Sequence, residues 1–229
     1  MTTYVLVHGA WRGSWCWKGV RRKLMASGHE VFTPTLTGLG ERSHLLSQDV
    51  DLSVHVLDVV NLIKWEDLHD IVLVGHSYSG LVVRAAADRI PERIRSLVYL
   101  DAFIAENGQS LYDACPGIAD PQRQSARRHG EGWSVPPIPA VVNATDLDWV
   151  DRQCTAQSIA CFEEPIVLTG ACDRLDDISY IGANDHFGIF AKFQEKAKTR
   201  GWRIDMLACS HDVMIDMPDE LSDILLEKA

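Results

Sequence analysis

The sequence predicts an α/β protein: a mostly parallel, doubly wound sheet with helices on both faces and a small helical cap insertion. Three observations carry this reading. Short β-branched runs alternate with segments at helical spacing, the runs are apolar nearly throughout as strands buried on both faces must be, and the alternation fails over one proline-rich stretch, residues 106–164. A chain of 229 residues has room for one such domain, spanning 1–229, and not for two with a linker.

Residues 4–8 are the first β-branched run and end in His8-Gly9-Ala10. Helical spacing follows over 15–26, closed by Ser27-Gly28, and a second strand spans 30–33. Pro34, Gly38 and Gly40 make 34–50 a loop, after which 54–65 returns to helical spacing and 71–74 reads as a strand. A helix over 80–90 is stopped by Pro91, and the β-rich run 94–100 ends at Asp101. Within 106–164, Pro116, Pro121, Pro136, Pro137 and Pro139 interrupt the rhythm, with Trp133 and Trp149 among the few large apolar anchors; this is the expected cap over the strand ends. Residues 165–170 read as its return segment. A strand over 178–183, a helix over 187–199, a strand over 203–207, then His211 and a last helix opened by Pro218-Asp219-Glu220 complete the order.

Composition removes several classes of function. Lys and Arg number 22 against 32 Asp and Glu, a net charge of −10, with no basic run or basic helical face, so neither nucleic acid nor an anionic membrane is an expected partner. Met1-Thr2-Thr3 leads straight into the first strand without the basic and apolar regions of a signal peptide, which implies a cytoplasmic protein. No apolar run approaches a membrane-spanning length. Six cysteines without a C-x-x-C pair argue against a zinc cage or a redox site and read as reduced thiols; no metal or organic cofactor is expected. The expected partner is a small molecule, and a homodimer is compatible with the sequence.

The chemistry is concentrated in Val72-Leu73-Val74-Gly75-His76-Ser77-Tyr78-Ser79-Gly80, an apolar strand running through small residues into an amphipathic helix. Such a strand-turn-helix holds a serine hydroxyl clear of the backbone, which makes Ser77 a candidate nucleophile. Ser79 stands where a second glycine is usual, a departure small enough to fit where strand and helix nearly touch. A serine hydroxyl needs a base within hydrogen-bond reach, and the base needs an acid to fix its tautomer. His211, on the loop between the last strand and the last helix, is the best base. Two acids remain open: Asp101 ends the strand after that of the serine, and Asp185 follows the strand over 178–183. Asp101 is favoured, because a carboxylate at so apolar a strand end must be paired to offset its desolvation. The amides of Tyr78 and Ala10, with Trp11 second to Ala10, are the candidate oxyanion donors. His8 and His76 flank glycines at strand ends and are expected to order those turns.

Tyr4-Val5-Leu6-Val7-His8-Gly9-Ala10-Trp11, Gly38-Leu39-Gly40-Glu41-Arg42-Ser43-His44, Val74-Gly75-His76-Ser77, Val98-Tyr99-Leu100-Asp101-Ala102-Phe103 and Ser210-His211-Asp212 run nearly end to end. Together they resemble the α/β-hydrolase superfamily, within it the small bacterial esterases related to plant methylesterases and hydroxynitrile lyases. The resemblance implies the α/β-hydrolase fold, a Ser77 nucleophile, a His211 base and an oxyanion hole from Ala10 and Tyr78. Plant methylesterases imply Asp185 as the acid, and haloalkane dehalogenase-like relatives imply Asp101. Hydroxynitrile lyases carry threonine at the first turn and lysine after the histidine, where this chain has Gly9 and Asp212. The leading expectation is a serine hydrolase of small carboxylic esters, with Trp11, Tyr78, Phe103, Trp133 and His44 around the substrate. A carbamate or amide hydrolase, a carbon–carbon lyase and a non-catalytic ligand receptor are the alternatives.

Overall fold

The computed structural model describes residues 1–138, 147–184 and 188–228. Its first half runs β1 (Thr3–Val7), α1 (Lys18–Ala26), β2 (Glu30–Phe32), α2 (Leu52–Trp65), β3 (Ile71–His76), α3 (Ser79–Arg89) and β4 (Ile94–Leu100). Next come α4 (Leu111–Ala114), α5 (Pro116–His129), β5 (Ser134–Val135), α6 (Leu147–Gln153), β6 (Gln157–Ser158) and α7 (Ala160–Glu163). The chain closes with β7 (Asp177–Gly182), α8 (Ala191–Thr199), β8 (Arg203–Met206), α9 (Val213–Asp216) and α10 (Pro218–Leu226). Among the described residues the main sheet has the order β2-β1-β3-β4-β7-β8, and every neighbouring pair is parallel. The expected α/β-hydrolase fold is therefore the one observed.

Both sides of each pleat are buried, which is why the strands are apolar without alternation. Val5, Val7, Leu73, Leu97 and Tyr99 face Val56 and Val59 of α2 and Leu81 and Val82 of α3. Tyr4, Leu6, Val72, Val74, Val98 and Leu100 face Val20 and Leu24 of α1 and Leu221 and Leu225 of α10. Because β2 lies on one side of β1 and β3 on the other, the strand order reverses at β1, and the turns after β1 and β3 open onto one crevice.

Three expectations shift. The helix expected over 15–26 begins with a 3-10 turn, Ser14–Trp17, that tucks Cys16 and Trp17 into the core before α1 starts. The helix expected over 187–199 starts at Ala191, and residue 187 lies outside the described residues. Pro121 lies inside α5 instead of ending it; it is exposed in the second turn, where it removes one backbone donor without breaking the helix. Segment 106–164 carries α4 to α7 and a two-stranded antiparallel sheet of β5 and β6. Its two ends are tied together, Gly108 N–H donating to the Ile166 carbonyl at 2.8 Å and Ile166 N–H to the Gln109 carbonyl at 2.9 Å. Residues 165–170 carry no strand. No helix among the described residues is long and apolar enough to cross a membrane.

Candidate functional site

Three turns at the carboxyl ends of β1, β3 and β4 build the site, and each contains a non-glycine residue in the left-handed region: Trp11 at φ 61°, Ser77 at 54° and Asp101 at 40°. Such conformations cost on the order of 1–3 kcal/mol each and persist only where the surroundings over-determine them. Here they are over-determined by hydrogen bonds. Ser77 N–H donates to the Leu100 carbonyl at 3.1 Å and Phe103 N–H to the Ser77 carbonyl at 3.1 Å, which locks the β3 turn to the β4 turn. Asp101 N–H reaches the Ile181 carbonyl of β7 at 2.7 Å. At Trp11, the amide donates to Gln157 Oε1 at 3.1 Å, the indole Nε1 to the Val135 carbonyl at 3.1 Å, and the carbonyl accepts from Thr155 N–H at 3.0 Å.

The β3 turn also shows where small residues are obligatory. A Cβ on Gly80 would lie 2.2 Å from the Phe103 carbonyl oxygen, and one on Gly75 would lie 2.5 Å from a Val83 methyl. Position 79 is different: the Ser79 side chain is fully buried and donates its hydroxyl to the His8 carbonyl. The departure from G-x-S-x-G thus ties the serine's turn to the end of β1, and the close approach is met by Gly75 and Gly80.

The structure brings Ser77, His211 and Asp101 into one line. Ser77 Oγ lies 2.9 Å from His211 Nε2, and His211 Nδ1 lies 2.7 Å from Asp101 Oδ2. With Nδ1–H donating to the carboxylate, Nε2 is left to accept the serine proton. The other carboxylate oxygen, Oδ1, accepts the Ala183 amide at 3.2 Å, so the buried acid is satisfied on both sides. Phe190 stacks on the imidazole, ring centroids 4.5 Å apart and 21° from parallel. Asp185, the alternative acid, lies outside the described residues.

Three buried histidines, His8, His76 and His55, order the turns around this line. His8 Nδ1–H donates to the Gly9 carbonyl at 2.9 Å while Nε2 accepts the Leu36 amide at 3.1 Å, and burial pushes its pKa down to about 3. His76 Nε2–H donates to the His211 carbonyl at 2.9 Å; burial, with His211 alongside, pushes its pKa down to about 3 as well. His55 Nε2–H donates to the Thr37 carbonyl at 2.9 Å and its Nδ1 accepts the Tyr78 hydroxyl at 2.9 Å, fixing the ring behind the nucleophile.

Above the line lies an apolar cavity of about 100 Å³. Its floor is Ala10, Trp11, Ser77, Tyr78, Phe103 and His211, and its roof includes Leu111, Ile118, Gln122, Ile138 and Phe162. Ala10 and Tyr78 are thus both at the cavity, whereas the Trp11 amide is taken by Gln157. Trp133 and His44 are not among its lining residues. Trp133 instead closes the turn from α5 into β5, its carbonyl accepting Ile159 N–H at 2.7 Å, and His44 is exposed on the 3-10 turn Gly40–Leu45. Aromatic content marked Trp133 as a lining residue, but its backbone is committed to joining the two short cap strands.

Two charged lining residues were given no role by sequence reasoning. Arg12 and Asp212 form a buried bidentate ion pair, Nε to Oδ1 at 3.1 Å and Nη2 to Oδ2 at 2.9 Å. The signal available was two opposite charges immediately beyond Trp11 and His211, at the ends of β1 and β8.

Residues 4–224 match the model of the alpha/beta hydrolase family. The chain is 41% identical to a carbendazim hydrolyzing esterase of Nocardioides sp. (strain SG-4G), the match covering 98% of each chain. It is 32% identical over 108 residues to Methylesterase 8 of Arabidopsis thaliana, 47% of this chain and 40% of that one. A solved extracellular alpha/beta-hydrolase from a Paenibacillus species, described as homologous in structure and function to tobacco salicylic acid binding protein 2, shares the fold. It superposes with a TM-score of 0.87 at 22% identity, covering 100% of this chain and 99% of its own.

Proposed function

Because the chain belongs to the alpha/beta hydrolase family, we propose that it is a serine esterase that cleaves small carboxylic esters through an acyl-enzyme on Ser77. The observation that carries this reading is the continuous line from Ser77 Oγ through His211 to Asp101, with separations of 2.9 Å and 2.7 Å, at the floor of an apolar cavity. The chain is a carboxylic ester hydrolase on the strength of its near-full-length similarity to a named esterase and its similarity to the methylesterases.

Ser77 Oγ attacks the ester carbonyl carbon as its proton passes to His211 Nε2. The imidazolium so formed is stabilised by Asp101 through Nδ1–H. Charge develops on the carbonyl oxygen, where the amides of Ala10 and Tyr78 donate to it; one such donor is worth about 10²–10³ in rate. The amino end of α3 adds positive potential on the same side. Collapse expels the alcohol, which takes the proton from Nε2, and leaves the acyl group on Ser77. Water then attacks the acyl carbon, giving its proton to Nε2, and the acid departs as that proton returns to Ser77. The role of Trp11 and Phe103 is to shape the floor beside the reacting carbonyl.

A second reading is favoured by the relative's name. Carbendazim is a methyl carbamate, and the same cycle cleaves a carbamate through a carbamoyl-enzyme; relative turnover of matched ester and carbamate pairs separates the two. The lyase reading is weakened, because the only cation among the described lining residues, Arg12, is already neutralised by Asp212. A cytoplasmic location belongs to the proposal as well, supported by six cysteines that are all free.

Ser77→Ala is expected to abolish hydrolysis of a short p-nitrophenyl ester while circular dichroism stays unchanged, and a fluorophosphonate is expected to label the wild type stoichiometrically at Ser77. Undiminished turnover by the folded variant overturns the proposal, and failure to label points to an inert receptor.

A further inference from the structure

The cavity holds one charge pair that the cycle above leaves unused. Arg12 ends the turn after β1 and is 5% exposed; Asp212 directly follows His211 and is 0% exposed. Their two parallel hydrogen bonds, at 3.1 Å and 2.9 Å, are the fork geometry in which guanidinium and carboxylate pair best. The third arm, Nη1, donates to Cys154 Sγ at 2.9 Å, just beyond α6. Burial opposes both charges, yet each holds the other ionised: the carboxylate of Asp212 raises Arg12, and the guanidinium keeps Asp212 below the usual carboxylate range.

Stability alone does not account for such a pair. Taking two ions out of water is costly for each, and apolar replacements of similar volume often serve a fold as well or better. What the pair does, and an apolar contact would do less specifically, is join two turns that share no strand pairing. One bears the Ala10 amide and the other bears His211.

We propose that Arg12 and Asp212 are positioning residues acting as one neutral unit. They clamp the turn that receives the oxyanion to the loop that carries the base, and by cancelling each other's charge they leave Asp101 to set the basicity of His211. The inference rests on the reading of Ser77 as nucleophile and His211 as base. The groups around the imidazole support it. Asp101 meets Nδ1, Ser77 meets Nε2, Phe190 covers one face and His76 lies 4.6 Å away, neutral because it is buried. On its own loop, Cys209 precedes it and the Asp216 carboxylate accepts from both the amide and hydroxyl of Ser210. Arg12 is the cation in this set, so removing either partner of the pair unbalances the charge next to His211.

The test is the pH dependence of kcat/KM for p-nitrophenyl acetate, whose acid limb follows loss of the proton from His211. Asp212→Asn decides, because it leaves a guanidinium that cannot shed its charge. Its acid limb is expected to fall by about one pH unit, with kcat down about 10- to 100-fold from misplacement and KM nearly unchanged. Arg12→Met leaves the carboxylate and is expected to move the limb the other way. Arg12→Lys keeps the charge but loses the fork, giving the wild-type limb with lowered kcat. If a single variant does not fold, the double variant Arg12→Met with Asp212→Leu, neutral and apolar, carries the comparison: wild-type limb, lowered kcat. The inference is overturned if the limbs coincide in the single variants, if Asp212→Asn shifts upward, or if the double variant keeps wild-type kcat. Should Ser77→Ala be inactive while these variants behave as wild type, only the clamp falls; should Ser77→Ala stay active, the reading beneath it falls first.

Discussion

The floor and the roof of the cavity obey opposite rules. The floor consists of turns at the ends of β1, β3 and β4, where three left-handed residues, buried histidines and a carboxylate are each held by named hydrogen bonds. The roof comes from segment 106–164, and the lining residues it contributes are Leu111, Ile118, Ile138 and Phe162, with Gln122 as its polar side chain. A group that transfers protons must be placed to a fraction of an ångström, and only a sheet end with satisfied backbone supplies that rigidity. A surface that sorts substrates by size needs volume and little else, so short helices and small strands suffice. Trp11 belongs to both, its left-handed backbone sitting in the floor while Gln157, Val135 and Thr155 of the cap hold it there.

The comparison can be broken most directly at the acid. Asp101→Asn preserves shape but presents an amide to His211 Nδ1, stabilising the wrong tautomer, and kcat is expected to fall by about 10⁴-fold. A loss under about tenfold, measured with a short p-nitrophenyl ester, would show that Asp101 does not serve as the acid.

The next effect is on stability in acid. His8 and His76 are held neutral in the folded chain, their pKa values near 3, mainly by burial. The unfolded chain protonates both as pH falls through about 6.5, so below that pH it binds more protons than the native state and stability declines until about pH 3. The slope is at most about 1.4 kcal/mol per pH unit for each histidine. Urea midpoints between pH 6.5 and 4 should therefore fall steadily, and more gently in His8→Asn; a flat profile would contradict the neutral burial of the floor's histidines.

The smallest effect is expected of the roof. Ile118→Ala should change KM about tenfold and shift the preferred acyl chain toward longer esters, with kcat within about threefold of wild type. A large fall in kcat for every chain length would mean that the roof takes part in positioning as well as in sorting.

Much of this was legible in the sequence. Continuous apolar runs such as Val72 to Val74 and Leu97 to Leu100 mark strands buried on both faces, and local sterics mark the turn at Ser77, because Gly75 and Gly80 sit where no Cβ fits. His211 could be picked from nine histidines by its place after the last strand. The roof was less legible. Prolines signalled that the rhythm stops, yet Pro116 opens α5, where its missing N–H has no helical partner to lose, and Pro121 sits within the helix at the loss of one backbone hydrogen bond. Trp133 was an inviting lining residue by type and turned out to be committed to the β5–β6 junction.

The chain's own order of residues thus determined the sheet, its crossovers, the turn that exposes a hydroxyl and the loop that returns an imidazole, because each depends on patterns a few residues long. Only the folded arrangement decided that Asp101 stands beside His211, that Arg12 meets Asp212 and that Ile118 and Phe162 close the cavity. The two polar pairings span 110 and 200 residues of separation, and nothing in local periodicity encodes which distant side chain will fill the remaining hydrogen bond or the remaining volume.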